Sequence, residues 1–390
     1  MSAARFRFGI FMAPFHPVDE NPTLSLQRDF ELIEWLDRLG FDEAWIGEHH
    51  SAGYEIISSP ELFIAAAAER TRRIRLGTGV VSLPYHGPLA VAGRMNQLDH
   101  MTQGRCMFGV GPGLLPSDAF MQGIDPRRQR DRMVEALSAI LPLMRGETVT
   151  MKTDWFELNE ARVQLSPYTL PQMEVCVASS VSPSGPRTAG RFGIGILSPG
   201  ATSSEGFDAL KNTWGIWREQ AEKHGNTADR SGWRLAAPVH VAETREQARE
   251  NVRFGLTRWR DYFETIGGLP IAGDGSDDPV EALVESGMGV IGTPDDAIAL
   301  IERLQERSGG FGCFLQIAHE WANRQATLES YELFARYVIP HFQGTNRLRQ
   351  KSLDWARDNR ETFIGAAMQG VMEAVQKHAA EAQSGADGND

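Results

Sequence analysis

The chain has 390 residues, of which 42% are hydrophobic and 23% are charged, and its formal net charge is −12. This composition is typical of a globular protein with enough apolar residues for a large core. It excludes the basic surface that nucleic acid requires, and no apolar run reaches membrane-spanning length, so we expect neither partner.

The beginning of the chain and its cysteines indicate a cytoplasmic protein. Residues 1–5 lack the apolar segment of a signal peptide. Cys106, Cys176 and Cys313 are far apart, without the spacing of a metal site, and each falls in a predicted strand. We therefore predict three reduced core cysteines.

Strands and helices alternate along the chain with short connections, which is typical of parallel βα units. Hydrophobic periodicity predicts helices at residues 24–39, 60–71, 89–101, 127–145, 187–191, 207–224, 244–265, 293 onward and 327–337. Strands are predicted at 6–12, 44–46, 74–83, 106–110, 173–178, 193–197, 233–241 and 311–318. An open sheet and a closed barrel are both compatible with the alternation of strands and helices in the first half of the chain. Eight strands favour the α/β class with a (β/α)₈ TIM barrel.

Three segments interrupt or extend this pattern. Residues 146–167 alternate around Trp155 and predict an inserted hairpin. Residues 267–289 are rich in Gly, Asp and Pro and predict a mobile surface lid. We predict a barrel domain at 1–343 and a C-terminal helical extension at 344–390, helical over 346–381 and disordered from Ser384.

In such a barrel, functional residues collect at the carboxyl ends of the strands. Glycines there leave room for a flat ligand, serines before a helix suit a phosphate, and apolar residues suit an apolar substrate. The candidates, in strand order, are Met12, Phe15, His16; Glu48, His49, His50; Thr78, Gly79, Val80; Gly111, Asp118; Ser179, Ser180, Ser184; Ser198; and His319, Trp321.

Several of these residues are also compatible with a purely structural role. Glu48, His49 and His50 fit a strand cap as well as a catalytic group. The glycines at 109–113 resemble a dinucleotide motif, but Pro112 argues against it. Adjacent histidines on a strand point to opposite faces, so His49 and His50 do not predict a metal site. His319, taken alone, fits a hydrogen-bonded structural histidine.

A set of motifs running in order from residue 6 to residue 343 identifies a family. They are Gly40–Trp45 with Glu48–His50, Leu76–Val81 with Leu83–Pro84 and His86–Pro88, Gly104–Arg105 with Phe108–Gly111, Ala178–Ser180, Ile196–Ser198, Gly292–Pro294 and Val338–Pro340. Through them the chain resembles the bacterial luciferase-like family of flavin-dependent monooxygenases. Phe11–His16 and the C-terminal extension make it most similar to the limonene 1,2-monooxygenase group.

The resemblance implies a site that binds reduced FMN, supplied by a separate NAD(P)H-dependent flavin reductase. His49 would assist the flavin chemistry, with Glu48 orienting it and His319 as a further catalytic candidate. A non-proline cis peptide at Gly79–Val80 would lie under the flavin, beside Met12, Thr78 and Gly111. Asp118 corresponds to an acid on the active-site loop.

Further positions follow from the same resemblance. Ser179, Ser180, Ser184 and Ser198 would contact the flavin phosphate, and Phe15, His16 and Trp321 the substrate. Relatives often carry an acid in the serine turn and an arginine after strand four. Ser179 and Pro112 occupy those positions here.

The resemblance implies that a peroxyflavin transfers oxygen from O₂ to a small apolar substrate, a terpene-like alkene or ketone, as an epoxide, a hydroxyl or a Baeyer–Villiger insertion. A homodimer is expected. The alternatives are a deazaflavin-dependent dehydrogenase on the same barrel, a non-catalytic flavin-binding subunit and, more distantly, a zinc hydrolase.

Overall fold

A computed structural model describes residues 5–266 and 278–386, with side chains described to residue 382. Its strands are β1 (Arg7–Met12), β2 (Glu43–Ile46), β3 (Arg75–Thr78), β4 (Val81–Ser82), β5 (Cys106–Gly111), β6 (Val149–Lys152), β7 (Glu157–Ala161), β8 (Val175–Ala178), β9 (Gly195–Ser198), β10 (Trp233–Val241), β11 (Val290–Gly292) and β12 (Cys313–Ile317).

The strands β1, β2, β3, β5, β8, β9, β10 and β12 form a closed parallel ring. Each pairs with the next in that order, and the ring closes where β1 pairs with β12, with Arg7 opposite Cys313. This confirms the predicted (β/α)₈ barrel. Two shorter strands extend the sheet, because β4 pairs with β5 and β11 pairs with β10.

Helices connect successive strands of the ring, and the last four helices follow its final strand β12. They are α1 (Pro22–Leu39), α2 (Pro60–Arg70), α3 (Pro88–Thr102), α4 (Pro116–Met121), α5 (Gln129–Met144), α6 (Ser184–Phe192), α7 (Ser204–Lys223), α8 (Arg245–Val252), α9 (Leu256–Thr265), α10 (Pro279–Ser286), α11 (Pro294–Ser308), α12 (Arg324–Leu333), α13 (Ile339–Gln343), α14 (Arg347–Asp358) and α15 (Arg360–Ala386).

Helix α1 shows how local sequence sets these boundaries. The side chain of Asn21 accepts hydrogen bonds from the N–H groups of Thr23 and Leu24, which otherwise lack a partner in the first turn. At the other end, Gly40 adopts φ of 86°, a left-handed conformation that costs glycine little. The chain therefore leaves the helix sharply and enters β2.

Apolar side chains fill the interior of the barrel. One buried cluster consists of Trp45, Met107, Cys176, Leu197, Ala236, Cys313 and Leu315. All three cysteines are free and buried, which agrees with the predicted core role.

A buried ion network lies near the amino ends of the strands, and we call Arg7, Glu43, Arg75, Glu174 and Arg234 the floor network. The guanidinium of Arg234 donates to both oxygens of Glu43, at 2.9 Å and 3.0 Å, and lies 2.7 Å from a Glu174 oxygen. Arg7 lies 2.6 Å from Glu43, and Arg75 lies 2.8 Å from Glu174. The network thus matches the buried Glu43 and the half-buried Glu174 with arginines.

Several predicted boundaries need correction. The single strand predicted at 74–83 is two strands, β3 and β4, separated by the cis peptide Gly79–Val80. Within the predicted lid at 267–289, residues 267–277 lie outside the described residues, whereas 279–286 form α10 because Asp278 caps a helix there. The excursion at 146–167 does contain the predicted hairpin, β6 paired antiparallel with β7.

The chain divides into two compact units, residues 1–339 and 340–390. The second contains α14 and α15, as the sequence predicts, and α15 runs to Ala386. The disordered end from Ser384 stays a prediction. A domain boundary at 343 stays a prediction. Among the described helices, none combines the length and apolar content needed to cross a membrane.

Candidate active site

The candidate site begins where β2 ends. The N–H of Gly47 donates to the carbonyl of Met12 at 2.7 Å, which fixes the end of β2 beside the end of β1. The N–H of His49 then donates to the carbonyl of Ile57 at 3.0 Å, so the chain from residue 47 to 59 folds back on itself. This loop holds His49 at the carboxyl ends of the strands.

The imidazole of His49 lies between two carboxylates. Its Nδ1 is 3.1 Å from Oδ2 of Asp118, and its Nε2 is 3.4 Å from Oε2 of Glu55. Burial lowers the pKa of His49, but the charges of Glu55 and Asp118 outweigh burial and raise it above the ordinary value. The ring is therefore suited to hold a proton near neutral pH.

Asp118 lies on the short helix α4 and not on an open loop as predicted. Its Oδ1 accepts hydrogen bonds from the N–H of His50, at 3.1 Å, and from the hydroxyl of Ser51. Burial raises the pKa of Asp118, yet the bonds from His49 and Ser51 lower it below the ordinary value. The carboxylate thus stays charged and fixes the orientation of the His49 ring.

Glu48 contacts different partners from those we predicted. Its Oε1 lies 2.8 Å from Nε2 of His50 and 2.7 Å from Nε2 of His86, and its Oε2 accepts the N–H of Ser82 at 2.7 Å. The sequence-based expectation is that Glu48 orients or buffers His49; its side chain contacts other partners, while its charge helps to raise the pKa of His49, so its role stays a prediction. In an extended segment, side chains two residues apart lie on the same side, as those of Glu48 and His50 do. The side chain of His49, which lies between them in sequence, contacts other residues.

Glu48, His50 and His86 also provide the donor types of a metal site. Their ligand-type atoms all lie within 4.8 Å of one another, and a carboxylate with two imidazoles suits zinc. Both imidazoles, however, contact the same carboxylate oxygen at hydrogen-bond distance. We therefore describe the group as a hydrogen-bonded cluster that anchors the β3–α3 connection to the end of β2.

Beside this cluster, β3 and β5 form a surface of glycines. The cis peptide joins Gly79 to Val80, and the N–H of Gly79 donates to the carbonyl of Ile46 at 2.6 Å. A Cβ on Gly111 would lie 2.5 Å from Val80, so only glycine allows this approach. The hydroxyl of Thr78 donates to the carbonyl of Gly109 at 2.7 Å and accepts the N–H of Gly109 at 2.9 Å.

The predicted phosphate turn follows β8. Ser179 is buried and its N–H donates to the carbonyl of Leu197, whereas Ser180 is exposed and Ser184 is half-buried. Helix α6 starts at Ser184 behind Pro183, whose side chain offers no acceptor to the first-turn N–H groups. The N–H of Ser184 donates to the hydroxyl of Ser182 at 3.3 Å, and this helix start among serine hydroxyls has the chemistry to bind a phosphate.

Ser198 at the end of β9 is occupied by a structural contact. Its hydroxyl oxygen accepts the indole N–H of Trp233 at 3.1 Å, and both residues are buried. Contact between this hydroxyl and a phosphate stays a prediction and would compete with the bond to Trp233.

The residues predicted for the substrate wall, Phe15 and Trp321, lie in a buried aromatic cluster. Phe15 stacks on Tyr54 with ring centres 4.7 Å apart, and Trp321 meets Trp259 edge to face at 5.1 Å. His319 stacks on Trp321 at 4.1 Å. This cluster, which also includes Tyr262, places apolar surface close to the loop that carries His49 and Glu55.

Both ring nitrogens of His319 have partners. Nε2 lies 3.0 Å from the carbonyl of Val239, and Nδ1 lies 3.4 Å from the N–H of Trp321. Burial lowers the pKa of His319 to about 4, so the ring is neutral. A catalytic role would require these contacts to break, and the structure favours the alternative of a structural histidine.

His16 lies in an ion cluster rather than in the predicted substrate wall. Its Nε2 is 3.0 Å from Asp29 on α1, and its Nδ1 is 3.3 Å from Glu320, which also binds Arg28 at 2.9 Å. Burial lowers the pKa of His16, but the two carboxylates raise it to about 9. His16 thus joins the β1–α1 connection to the segment after β12.

Sequence reasoning does not identify Glu55, Tyr262 or the contact made by His86. Glu55 lies in a connecting loop, and its partner Tyr262 lies on α9, which is 207 residues away in sequence, so no spacing signal connects them. His86 belongs to one of the family motifs. Its position after β3 is the available signal for a contact with Glu48.

Comparisons with known proteins support one family. The Luciferase-like monooxygenase family profile matches residues 6–310. Limonene 1,2-monooxygenase of Rhodococcus erythropolis is 49% identical over 340 residues, which cover 87% of each chain. 4-Hydroxyprotoasukamycin monooxygenase of Streptomyces nodosus subsp. asukaensis is 46% identical over 368 residues, covering 93% of this chain and 99% of that protein.

A solved structure extends the comparison to a bound cofactor. The oxygenating constituent of 3,6-diketocamphane monooxygenase from Pseudomonas putida, a type II Baeyer–Villiger enzyme in complex with FMN, superposes with a TM-score of 0.72 at 25% identity. The match covers 86% of this chain and 98% of that one. With the barrel and the predicted motifs in place, this chain belongs to the luciferase-like monooxygenase family.

Proposed function

We propose that this chain is the oxygenase of a two-component flavin system, which takes reduced FMN from a separate reductase and adds one oxygen atom from O₂ to a small apolar substrate. The observation that carries the proposal is the His49 imidazole, held between Asp118 and Glu55 at the carboxyl ends of the strands. It lies in the loop after β2, the strand that pairs with β3 and its glycine surface.

The predicted monooxygenase function and its FMN cofactor are confirmed by the family match and by the relatives at 49% and 46% identity. They favour this function over the deazaflavin-dependent dehydrogenase. A non-catalytic subunit is disfavoured too, because the relatives at 49% and 46% identity are both named as monooxygenases.

The residues present fit FMN. The glycine surface at Gly79 and Gly111 offers backbone to a flat ring, and the serine turn before α6 offers hydroxyls and N–H groups to a phosphate. When bound, reduced flavin supplies the electrons that activate O₂. Ser180 and Ser184 would hold the phosphate, and the backbone of Gly79–Val80 would support the ring.

The protein's own contribution is position, exclusion of water and control of one proton. His49 keeps a proton at Nε2 or gives it up, while Asp118 at Nδ1 keeps the ring in one orientation. The aromatic cluster that contains Phe15 and Trp321 limits the access of water to the His49 imidazole.

The same cluster supports an apolar substrate of the terpene class, either an alkene or a ketone. Its packed aromatic rings would offer apolar contact and few hydrogen-bond partners, so binding would depend on shape and burial. The names of the relatives include a limonene and a diketocamphane enzyme, which agrees with this class.

A flavin reductase and a second copy of this chain are the partners we propose. The trigonelline monooxygenase of Acinetobacter baylyi is named as an oxygenase component, which supports a separate reductase. The homodimer rests on the sequence-based expectation alone.

Oxygen uptake with chemically reduced FMN tests the proposal. Purified protein is mixed with reduced FMN and a panel of terpenes and ketones, and products are identified by mass. We expect oxygenated product from at least one substrate. We also expect His49→Ala to lose about 10²–10⁴-fold in rate, whereas His224→Ala, an exposed histidine at the end of α7, retains the wild-type rate. Absence of product across the panel would contradict the proposal.

A further inference from the structure

We propose that Glu55 is a positioning residue for His49: its carboxylate holds Nε2 of the imidazole and keeps a proton on that nitrogen. The inference rests on the proposed function, because it assigns the control of the same proton to a residue that no sequence motif indicates. It concerns the ring nitrogen that Asp118 does not contact.

The carboxylate of Glu55 is buried and only half satisfied. Its Oε1 accepts the hydroxyl hydrogen of Tyr262 at 2.7 Å. Its Oε2 has no hydrogen-bond partner among the described residues and lies 3.4 Å from Nε2 of His49. A buried carboxylate oxygen without a donor is costly, so a protonated Nε2 is the group that best compensates it.

Tyr262 fixes the direction of this carboxylate. Its ring lies against Tyr54, with centres 4.9 Å apart, and against Phe15 at 5.6 Å, and it is buried in the aromatic cluster. With the hydroxyl bound to Oε1, rotation of Glu55 away from His49 would break a hydrogen bond inside an apolar region. Helix α9 thus supports the carboxylate from the side opposite to His49.

Among the residues that the structure describes, the charged groups near the His49 ring are few. Glu55 and Asp118 contact it, Glu48 acts at longer range, and His50 is the neighbouring cation. The negative charge of Glu48 is compensated by contacts with His50, His86 and Ser82. It therefore attracts the proton of His49 less than Glu55 and Asp118 do. Because Asp118 already occupies Nδ1, the proton that is available for transfer is the one facing Glu55.

The first consequence is a dependence of the His49 titration on Glu55. Removing a contacting carboxylate favours the neutral imidazole over the protonated one. The midpoint of the His49 titration must therefore move to lower pH. In Glu55→Gln we expect the midpoint to fall by about one pH unit or more. Glu55→Asp, which keeps the charge but withdraws it by one methylene, should give a smaller fall. It also serves as the second variant if the glutamine protein does not fold.

The measurement is NMR of isotope-labelled histidine in the flavin-free full-length protein, with the His49 signal assigned from the spectrum of His49→Ala. Glu61→Gln is the matched control, because Glu61 is another buried carboxylate, bound to Arg94 on α3. That variant should leave the His49 midpoint unchanged. A midpoint in Glu55→Gln equal to that of the wild type would overturn the proposal.

The pH profile of kcat/KM separates this inference from the proposed function. If the titration midpoint of His49 falls in Glu55→Gln and the pH at which kcat/KM changes falls with it, the inference and the proposed function are both supported. If the midpoint falls and the rate profile stays in place, Glu55 still positions His49, but His49 does not carry the proton of the reaction.

Discussion

The floor network and the His49 site are both buried clusters of ionised side chains, at opposite ends of the same strands. In the floor network arginines match the carboxylates: burial alone would raise the pKa of Glu43, yet the charge of Arg234 lowers it to about 2. Around His49 the cations are imidazoles instead, which exchange protons near neutral pH.

The difference shows how one barrel separates stability from chemistry. Arginine keeps its proton at every pH at which the protein functions, so the floor network is a fixed electrostatic support. An imidazole between two carboxylates can change its charge when a ligand arrives. On our proposal, the same kind of ion pair is structural at one end of the barrel and takes part in the chemistry at the other.

Breaking the floor network should have the largest effect on stability. Arg234→Met leaves the buried Glu43 and the half-buried Glu174 with less positive charge nearby, and we expect a loss of about 3–5 kcal/mol in the free energy of unfolding. Urea unfolding measures this loss. Arg218→Met removes an exposed arginine on α7 and should cost below about 1 kcal/mol. Equal losses in the two variants would contradict the structural role.

The ion cluster of His16 offers a pH-dependent test near the mouth of the barrel. Because its pKa rises from 6.5 to about 9 on folding, its contribution is fully present below pH 6.5 and is lost as pH rises through about 9. We expect the free energy of unfolding to fall by up to about 3 kcal/mol over that range. The His16→Gln variant should lack this fall, and an identical pH dependence would count against the cluster.

Ser198 should show the smallest of these effects. Ser198→Ala removes the acceptor of the buried Trp233 N–H, with an expected cost of about 1–2 kcal/mol. Ser138→Ala is the control, because that hydroxyl bonds only to a carbonyl of its own helix and alanine favours a helix. A stability of Ser198→Ala equal to wild type would mean that the hydroxyl is available for another partner.

The sequence predicts elements well where a local pattern determines them. The apolar run Trp233–Val241 is a strand with the predicted bounds, since every residue in it is buried. The strand Val290–Gly292 is absent from the sequence prediction because it has three residues beside a glycine-rich segment. Helix α10 is absent for the same reason, despite Asp278 and Pro279 at its start.

The central residues of the site can be predicted from the sequence, whereas the residues that surround them cannot. His49 and Asp118 are identified from their positions and from the family motifs, and the structure brings them together. The Glu43–Arg234 pair joins residues 191 positions apart, and Glu55 meets Tyr262 from 207 positions away. Such pairs arise from closure of the barrel, which no local period encodes.

The most direct test of the central claim is transfer of an ¹⁸O atom from ¹⁸O₂ to an apolar substrate in the presence of reduced FMN. The wild-type protein should form product with one labelled oxygen atom, and His49→Ala should form it about 10²–10⁴-fold more slowly while remaining folded under the assay conditions. Unlabelled product, or labelled product formed by His49→Ala at the wild-type rate, would contradict the assignment of this site.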